Sequence, residues 1–134
     1  MKQFIALFAA ALLLVPAARA QAPQGMGKNG LVIKEWNNPA GSKKQALEKV
    51  ITYNEAGQLV DEIHYKDNKL VDRSIFKYDE TGKIVREDIY NSSNKLQSFK
   101  TYEYDENGLC KMHYHYDAKG KLIYIRIFQY LPKE

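Results

Sequence analysis

The sequence predicts an all-β fold: an antiparallel up-and-down meander of about seven to eight strands, built from tandem hairpin repeats. Three observations predict it. A short turn pattern recurs six times between residues 53 and 130, all ten tyrosines fall in that same span, and the stretches between turns are of strand length. Those stretches are rich in β-branched and aromatic residues, the side chains that suit a pleated, half-buried surface.

The copies read Tyr53-Asn-Glu-Ala-Gly-Gln-Leu59, Tyr65-Lys-Asp-Asn-Lys-Leu70, Tyr78-Asp-Glu-Thr-Gly-Lys-Ile84, Tyr90-Asn-Ser-Ser-Asn-Lys-Leu96, Tyr104-Asp-Glu-Asn-Gly-Leu109 and Tyr116-Asp-Ala-Lys-Gly-Lys-Leu122. Their tyrosines stand 12, 13, 12, 14 and 12 residues apart, enough for one strand plus one turn. Asp or Asn after the tyrosine accepts a hydrogen bond from a backbone amide two residues on. Gly or Asn at the fourth position tolerates a left-handed backbone, as a type I turn closed by a bulge residue requires. Each copy is therefore a chain reversal. The first, third and fifth resemble one another most, so the larger unit is a two-strand hairpin of about 25 residues.

Two further strands are expected ahead of the repeats, over 30–36 and 46–53, joined by a loop over 37–44 that holds Pro39 and Gly41. No helix is expected beyond residue 20. Many strands carry apolar residues on both parities, as in a single curled sheet or a partly closed barrel. The final strand, 122–130, is apolar at nearly every position. It is expected to be the most buried strand, or else a pairing surface.

The unit Tyr-Asp-x-x-Gly-Lys-[Leu/Ile] resembles the core of the YD repeats of Rhs-type proteins and small exported bacterial proteins of unknown function built from such units. The resemblance covers residues 53–130. It implies a β-hairpin array and brings no catalytic residues.

The chain begins on a different plan. Lys2 precedes an apolar run from Phe4 to Val15, Pro16 ends it, and Ala18-Arg19-Ala20 places small residues where a signal peptidase reads. Twelve apolar residues are too few for a span, which needs about 20. Residues 1–20 are thus expected to be a signal peptide cleaved after Ala20, 21–29 a disordered linker and 30–134 a single β-repeat domain. With Gln21 after the cut, no lipid anchor is expected. The product is expected to be exported, periplasmic or secreted, and to touch a membrane only through an uncleaved signal peptide.

Removing Lys2 and Arg19 from the 20 basic residues leaves 18 against 16 acidic ones, a net charge of +2. Signs alternate along the strands without a basic block, so no nucleic-acid partner is expected. Cys110 is the lone cysteine, so no intramolecular disulfide forms, and it reads as a small buried hydrophobe.

His113 and His115 are the metal candidates, because residues two apart on a strand share a face. Two imidazoles do not complete a zinc site, Cys110 stands on the opposite parity and His64 lies strands away, so neither a metal nor another cofactor is expected. Adjacent carboxylates such as Glu87 and Asp88 point to opposite faces and cannot flank one bond. No phosphate loop, nucleophile elbow or zinc-protease motif is present. Most tyrosines are explained as cross-strand ladder residues at the repeat position. Tyr102, Tyr114 and Tyr124 lie outside it and are the expected ligand-binding surface.

The expected function is a non-catalytic binding or interaction module of the cell envelope, with a protein or glycan partner. A small metal-dependent or hydrolytic enzyme around His113, His115 and His64 is the alternative. Self-association into a homo-oligomer by edge-strand pairing is a third.

Overall fold

A computed structural model describes residues 27–133; the signal-peptide segment and residues 21–26 lie outside the described residues. The strands are β1 (Val32–Asn37), β2 (Ala46–Tyr53), β3 (Leu59–Lys66), β4 (Lys69–Tyr78), β5 (Ile84–Tyr90), β6 (Leu96–Tyr104), β7 (Cys110–Asp117) and β8 (Leu122–Ile127). They form one 8-stranded sheet whose order follows the chain, with every neighbouring pair antiparallel. The predicted meander is what forms. Its edges β1 and β8 do not meet, so the sheet is open and the partly closed barrel is ruled out. No helix occurs among the described residues.

The turns form for the reason the repeat suggested, with an added bond. In the third copy Asp79 Oδ1 accepts the Thr81 amide at 2.8 Å and the Lys83 amide at 3.0 Å. Asn91, Asp105 and Asp117 likewise each accept amides two and four residues on. One carboxylate or amide oxygen thus satisfies two donors that the reversal leaves without a ladder partner. The second copy is one residue shorter and turns differently. Asp67 and Asn68 both have positive φ, 51° and 61°, as in a type I′ hairpin flanked by the pair Lys66 and Lys69. Asn68 Oδ1 also accepts the Leu47 amide at 3.2 Å, which ties this turn to β2.

A bulge interrupts every strand pair, and in six of the seven it falls immediately before a repeat tyrosine. Each tyrosine consequently faces the first apolar residue of the next strand: Tyr53 with Leu59, Tyr78 with Ile84, Tyr90 with Leu96, Tyr116 with Leu122. In the fifth copy the residue in this register is Cys110, opposite Tyr104, and not Leu109. Tyrosine hydroxyls then lace one end of the sheet together. Tyr78 donates to the Leu59 carbonyl, Tyr104 to that of Ile84, both at 2.6 Å, and Tyr130 to that of Cys110 at 2.8 Å.

Packing is uneven. Ile51, Tyr53, Leu59 and Phe76 are the buried hydrophobic side chains, joined by Leu31, Ile33, Tyr78 and Ile84. All lie on one face of β1–β5, and among the described residues only Ile51 is completely inaccessible. Each side chain buried this way contributes roughly 1.5–3 kcal/mol. Gly30 starts this cluster by a turn whose amide reaches the Asn54 carbonyl at 2.8 Å.

The final strand departs from its first expectation. β8 is exposed along its whole length, with Ile127 at 67%. Its hydropathy resembles a core strand, but at the sheet edge it has β7 as its one neighbouring strand among the described residues, and these leave it uncovered. It also ends at Ile127, short of Tyr130.

Candidate functional site

The face that carries the small core in β1–β5 changes character towards β8. There it presents Glu87 from β5, Ser98, Lys100 and Tyr102 from β6, and His113 and His115 from β7, continued by Tyr124 and Arg126 of β8. Strand alternation and the cross-strand register bring these residues to one side.

Glu87 organises the middle of this face. Its Oε1 accepts Ser74 Oγ at 3.0 Å, while its Oε2 accepts the Tyr102 hydroxyl at 2.9 Å and Lys100 Nζ at 3.4 Å. Desolvation, then the Glu87 charge and hydrogen bond, push the Tyr102 phenol far above its ordinary range. A phenol held this way donates a hydrogen bond and is not a base. Asp88 projects to the opposite face, as strand alternation predicts. Burial disfavours its charge, but Arg86 Nε at 2.7 Å and Lys77 Nζ at 3.1 Å outweigh that and hold its carboxyl below the usual range.

His113 is buried under aromatic rings: Tyr102 edge-on at 5.6 Å, Phe128 at 5.8 Å and Tyr124 at 6.0 Å between centroids. Among the described residues its Nε2 has no hydrogen-bond partner, nor does Nδ1 of His115, whose ring meets Tyr124 at 4.8 Å. Desolvation, with Lys100 nearby, lowers the proton affinity of both imidazoles. Both are therefore neutral at neutral pH, part of an aromatic layer.

The three tyrosines expected to make one ligand surface are divided between the two faces. Tyr102 and Tyr124 flank His113 on the first face. Tyr114 pairs with Thr101 and Ile125 on the other, its ring 6.4 Å from Tyr116 and its hydroxyl 3.1 Å from Glu103. On that second face Tyr116 stacks on Phe99 at 4.9 Å, and the Arg86 guanidinium lies 3.9 Å above Phe99.

Cys110 corrects two expectations. The bulge at Tyr104 shifts parity by one residue and brings Cys110 onto the same side as His113, within electrostatic reach of Tyr102 and Tyr104. It is also half-buried, not buried, and desolvation raises its thiol pKa. Among the described residues no three His, Cys, Asp or Glu side chains converge to hold a metal ion. His64, between Asp72 at 2.6 Å and Glu62 at 2.9 Å, belongs to a separate cluster in β3 and β4.

A shallow cleft of about 420 Å³ lies between the β1–β2 loop and the β3–β4 turn, bordered by Pro39, Lys44, Asp67 and Asn68. Asn68 already uses its oxygen on Leu47, and no buried titratable group faces the space.

The larger feature is β8 itself. Leu122, Ile123, Tyr124, Ile125 and Ile127 are all exposed, as are Tyr130 and Leu131 beyond it. Sequence reasoning found the apolar strand but missed Glu87, Lys100 and Phe128 as its neighbours. The signal for them was the parity of β5 and β6, read together with a bulge at each tyrosine.

These features define the class: an open antiparallel repeat sheet whose last strand is an uncovered apolar edge beside an aromatic and histidine face. Compared with known proteins, the chain matches no family model, no curated protein and no solved structure.

Proposed function

We propose that the protein is a non-catalytic exported interaction module of the cell envelope, and that β8 with the adjoining Tyr102–His113–Tyr124 face is its contact surface. One observation carries the reading: an edge strand of six residues that is exposed throughout, five of them large and apolar. Such an edge is an aggregation hazard, and β8 is blunted only by Arg126 and the bulge at Ile123, with no lysine or proline among its six residues. Contiguous exposed apolar surface marks a place where a partner sits. The partner fits a protein better than a glycan, because the strand offers backbone donors and acceptors together with aliphatic side chains. The leader-like residues 1–20 and the resemblance to YD repeats support an envelope location and a hairpin-array scaffold.

The test combines location and contact. N-terminal sequencing of the exported product should begin at Gln21. A photo-crosslinker at Ile127 should capture one defined envelope component, lost on Ile125→Lys and not captured from a crosslinker at exposed Glu80. Equal labelling from both positions, or none, rejects the reading.

The metal-dependent or hydrolytic alternative rests on two imidazoles, of which His113 is capped by rings. Stoichiometric zinc, lost on replacing His113 and His115 by Ala, would favour it.

A further inference from the structure

We propose that the free edge along residues 125–130 is a strand acceptor, taking one extended segment of a partner protein, antiparallel, with the pattern apolar-x-x-acidic-apolar-x-aromatic. The inference rests on the reading of β8 as a contact surface and deepens it by giving the chemistry and register of the partner.

The internal repeat shows what this edge is built for. Aligned on their closing tyrosines, residues 70–78, 96–104 and 122–130 correspond position by position. Each opens on leucine and places the extra residue of a bulge second: Val71, Gln97 and Ile123. Each closes on a tyrosine whose hydroxyl bonds the first ladder residue of the strand before it. Beyond the bulge, residues 73–78 are paired by β5 and residues 99–104 by β7. Their counterparts, 125–130, have no strand on that side among the described residues. The bulge at Ile123 therefore lies outside the stretch that a further strand pairs. Exposure follows the difference: Ile75, Tyr78 and Tyr104 are half-buried, while Ile127 and Tyr130 in the same places are exposed.

The backbone of this stretch is set for pairing. The Phe128 amide bonds to the Lys111 carbonyl at 3.0 Å. Direction alternates along a strand, so Ile125, Ile127 and Gln129 turn their N–H and C=O groups away from β7. Arg73, Ile75 and Lys77 hold those places in β4, opposite Tyr90, Asp88 and Arg86 of β5. An extended peptide matches such a row of donors and acceptors, as β5 matches that of β4.

Side chains give the pattern. In the β4–β5 and β6–β7 registers the first residue of the incoming strand, Ile84 or Cys110, faces the closing tyrosine. Its seventh residue, Tyr90 or Tyr116, holds the place that faces Ile125 in β8. The fifth place faces Ile127 on the same side, where an apolar residue completes the cross-strand pair. The fourth place is the polar one. Glu87 occupies it opposite Phe76 and reaches across to Ser74 Oγ at 3.0 Å. Arg126 stands where Ser74 stands. Arg73 and Arg86 are ion-paired to Asp61 and Asp88, whereas Arg126 lies over the Tyr124 ring and has no carboxylate partner among the described residues. An acidic fourth residue supplies one.

β3 carries this pattern, from Leu59 through Glu62 and Ile63 to Tyr65, so a synthetic peptide copying residues 57–66 is the probe. Fluorescence polarisation with the purified protein in a Cys110→Ser background should show saturable binding of one peptide per chain. A Glu62→Lys peptide should bind at least about tenfold more weakly, and Arg126→Glu in the protein should restore it. On mild oxidation Ile127→Cys protein should crosslink to an Ile63→Cys peptide, its mate in a hydrogen-bonded pair with Cα atoms about 5.5 Å apart, and not to a Leu59→Cys peptide. No saturable binding, equal binding of the Glu62→Lys peptide, or equal crosslinking of the two cysteine peptides overturns the proposal. So does a two-copy mass in light scattering that the peptide leaves unchanged. If the peptide fails while a crosslinker at Ile127 captures an envelope component that Ile125→Lys abolishes, the strand pattern falls and the interaction module stands. Loss of both rejects both.

Discussion

Glu87 shows how one side chain can hold a face together. Its two oxygens serve Ser74, Tyr102 and Lys100, and its side chain is mostly buried. Replacing Glu87 by Ala leaves those donors without an acceptor, so denaturant unfolding should show a loss of about 1–3 kcal/mol. Tyr102 should remain among the last tyrosines to ionise in an alkaline titration, because desolvation outranks Glu87 in raising it. The histidines set the acid response. His113 and His115 bind protons less readily when folded than at their ordinary value of 6.5. Their contribution to stability is therefore complete above that value and is lost as pH falls through it towards the depressed folded values. Thermal unfolding followed from about pH 7 to about pH 5 should show a falling Tm, with a shallower slope in the His113→Gln/His115→Gln protein. An unchanged slope would mean that these imidazoles do not titrate on unfolding. At this scale sequence reading placed His113 and His115 on one side correctly and Cys110 on the wrong one.

Hairpins are the unit at the next scale, and they were the most legible part of the chain. Tyrosine, an Asx residue and a Gly or Asn at fixed spacing specify a local reversal with bonds that close within about five residues, so no distant contact is needed to make it. Gly120 isolates the backbone cost of that design. Its φ is +86°, and a Cβ placed there would meet nothing within 4 Å. Gly120→Ala should therefore destabilise by about 1–2 kcal/mol through the left-handed conformation alone, and Gly120→Asn by less. Chemical denaturation of the two variants checks the order. The bulges were the concealed part of these elements. Each places one extra residue in the strand that follows the turn, such as Val60, Val85 or Ile123, and inverts the inside-outside parity of the residues after it, so a period-two reading drifts from strand to strand. Tyr114 shares with Tyr102 and Tyr124 only a place outside the repeat position, and the cross-strand register turns it to the other face.

For the whole molecule, the apolar cluster lies at β1–β5 and the exposed strand at the far edge. Stability should be graded accordingly. Hydrogen exchange is expected to be slowest in β2, β3 and β4 and fastest in β8, with Phe76→Ala costing about 3 kcal/mol or more. Uniform protection across all eight strands at low protein concentration would contradict this gradient.

The fold class, the strand count and the chain-following strand order were all written in the residues, because they arise from local turn chemistry and from the rule that short hairpins join neighbours. Three features belong to the folded sheet instead: it stays open, its core gathers under β1–β5, and its most apolar strand is the least covered. Hydropathy records how strongly a strand prefers to leave water. Whether anything is there to receive it depends on its position in the sheet, which no stretch of residues encodes alone.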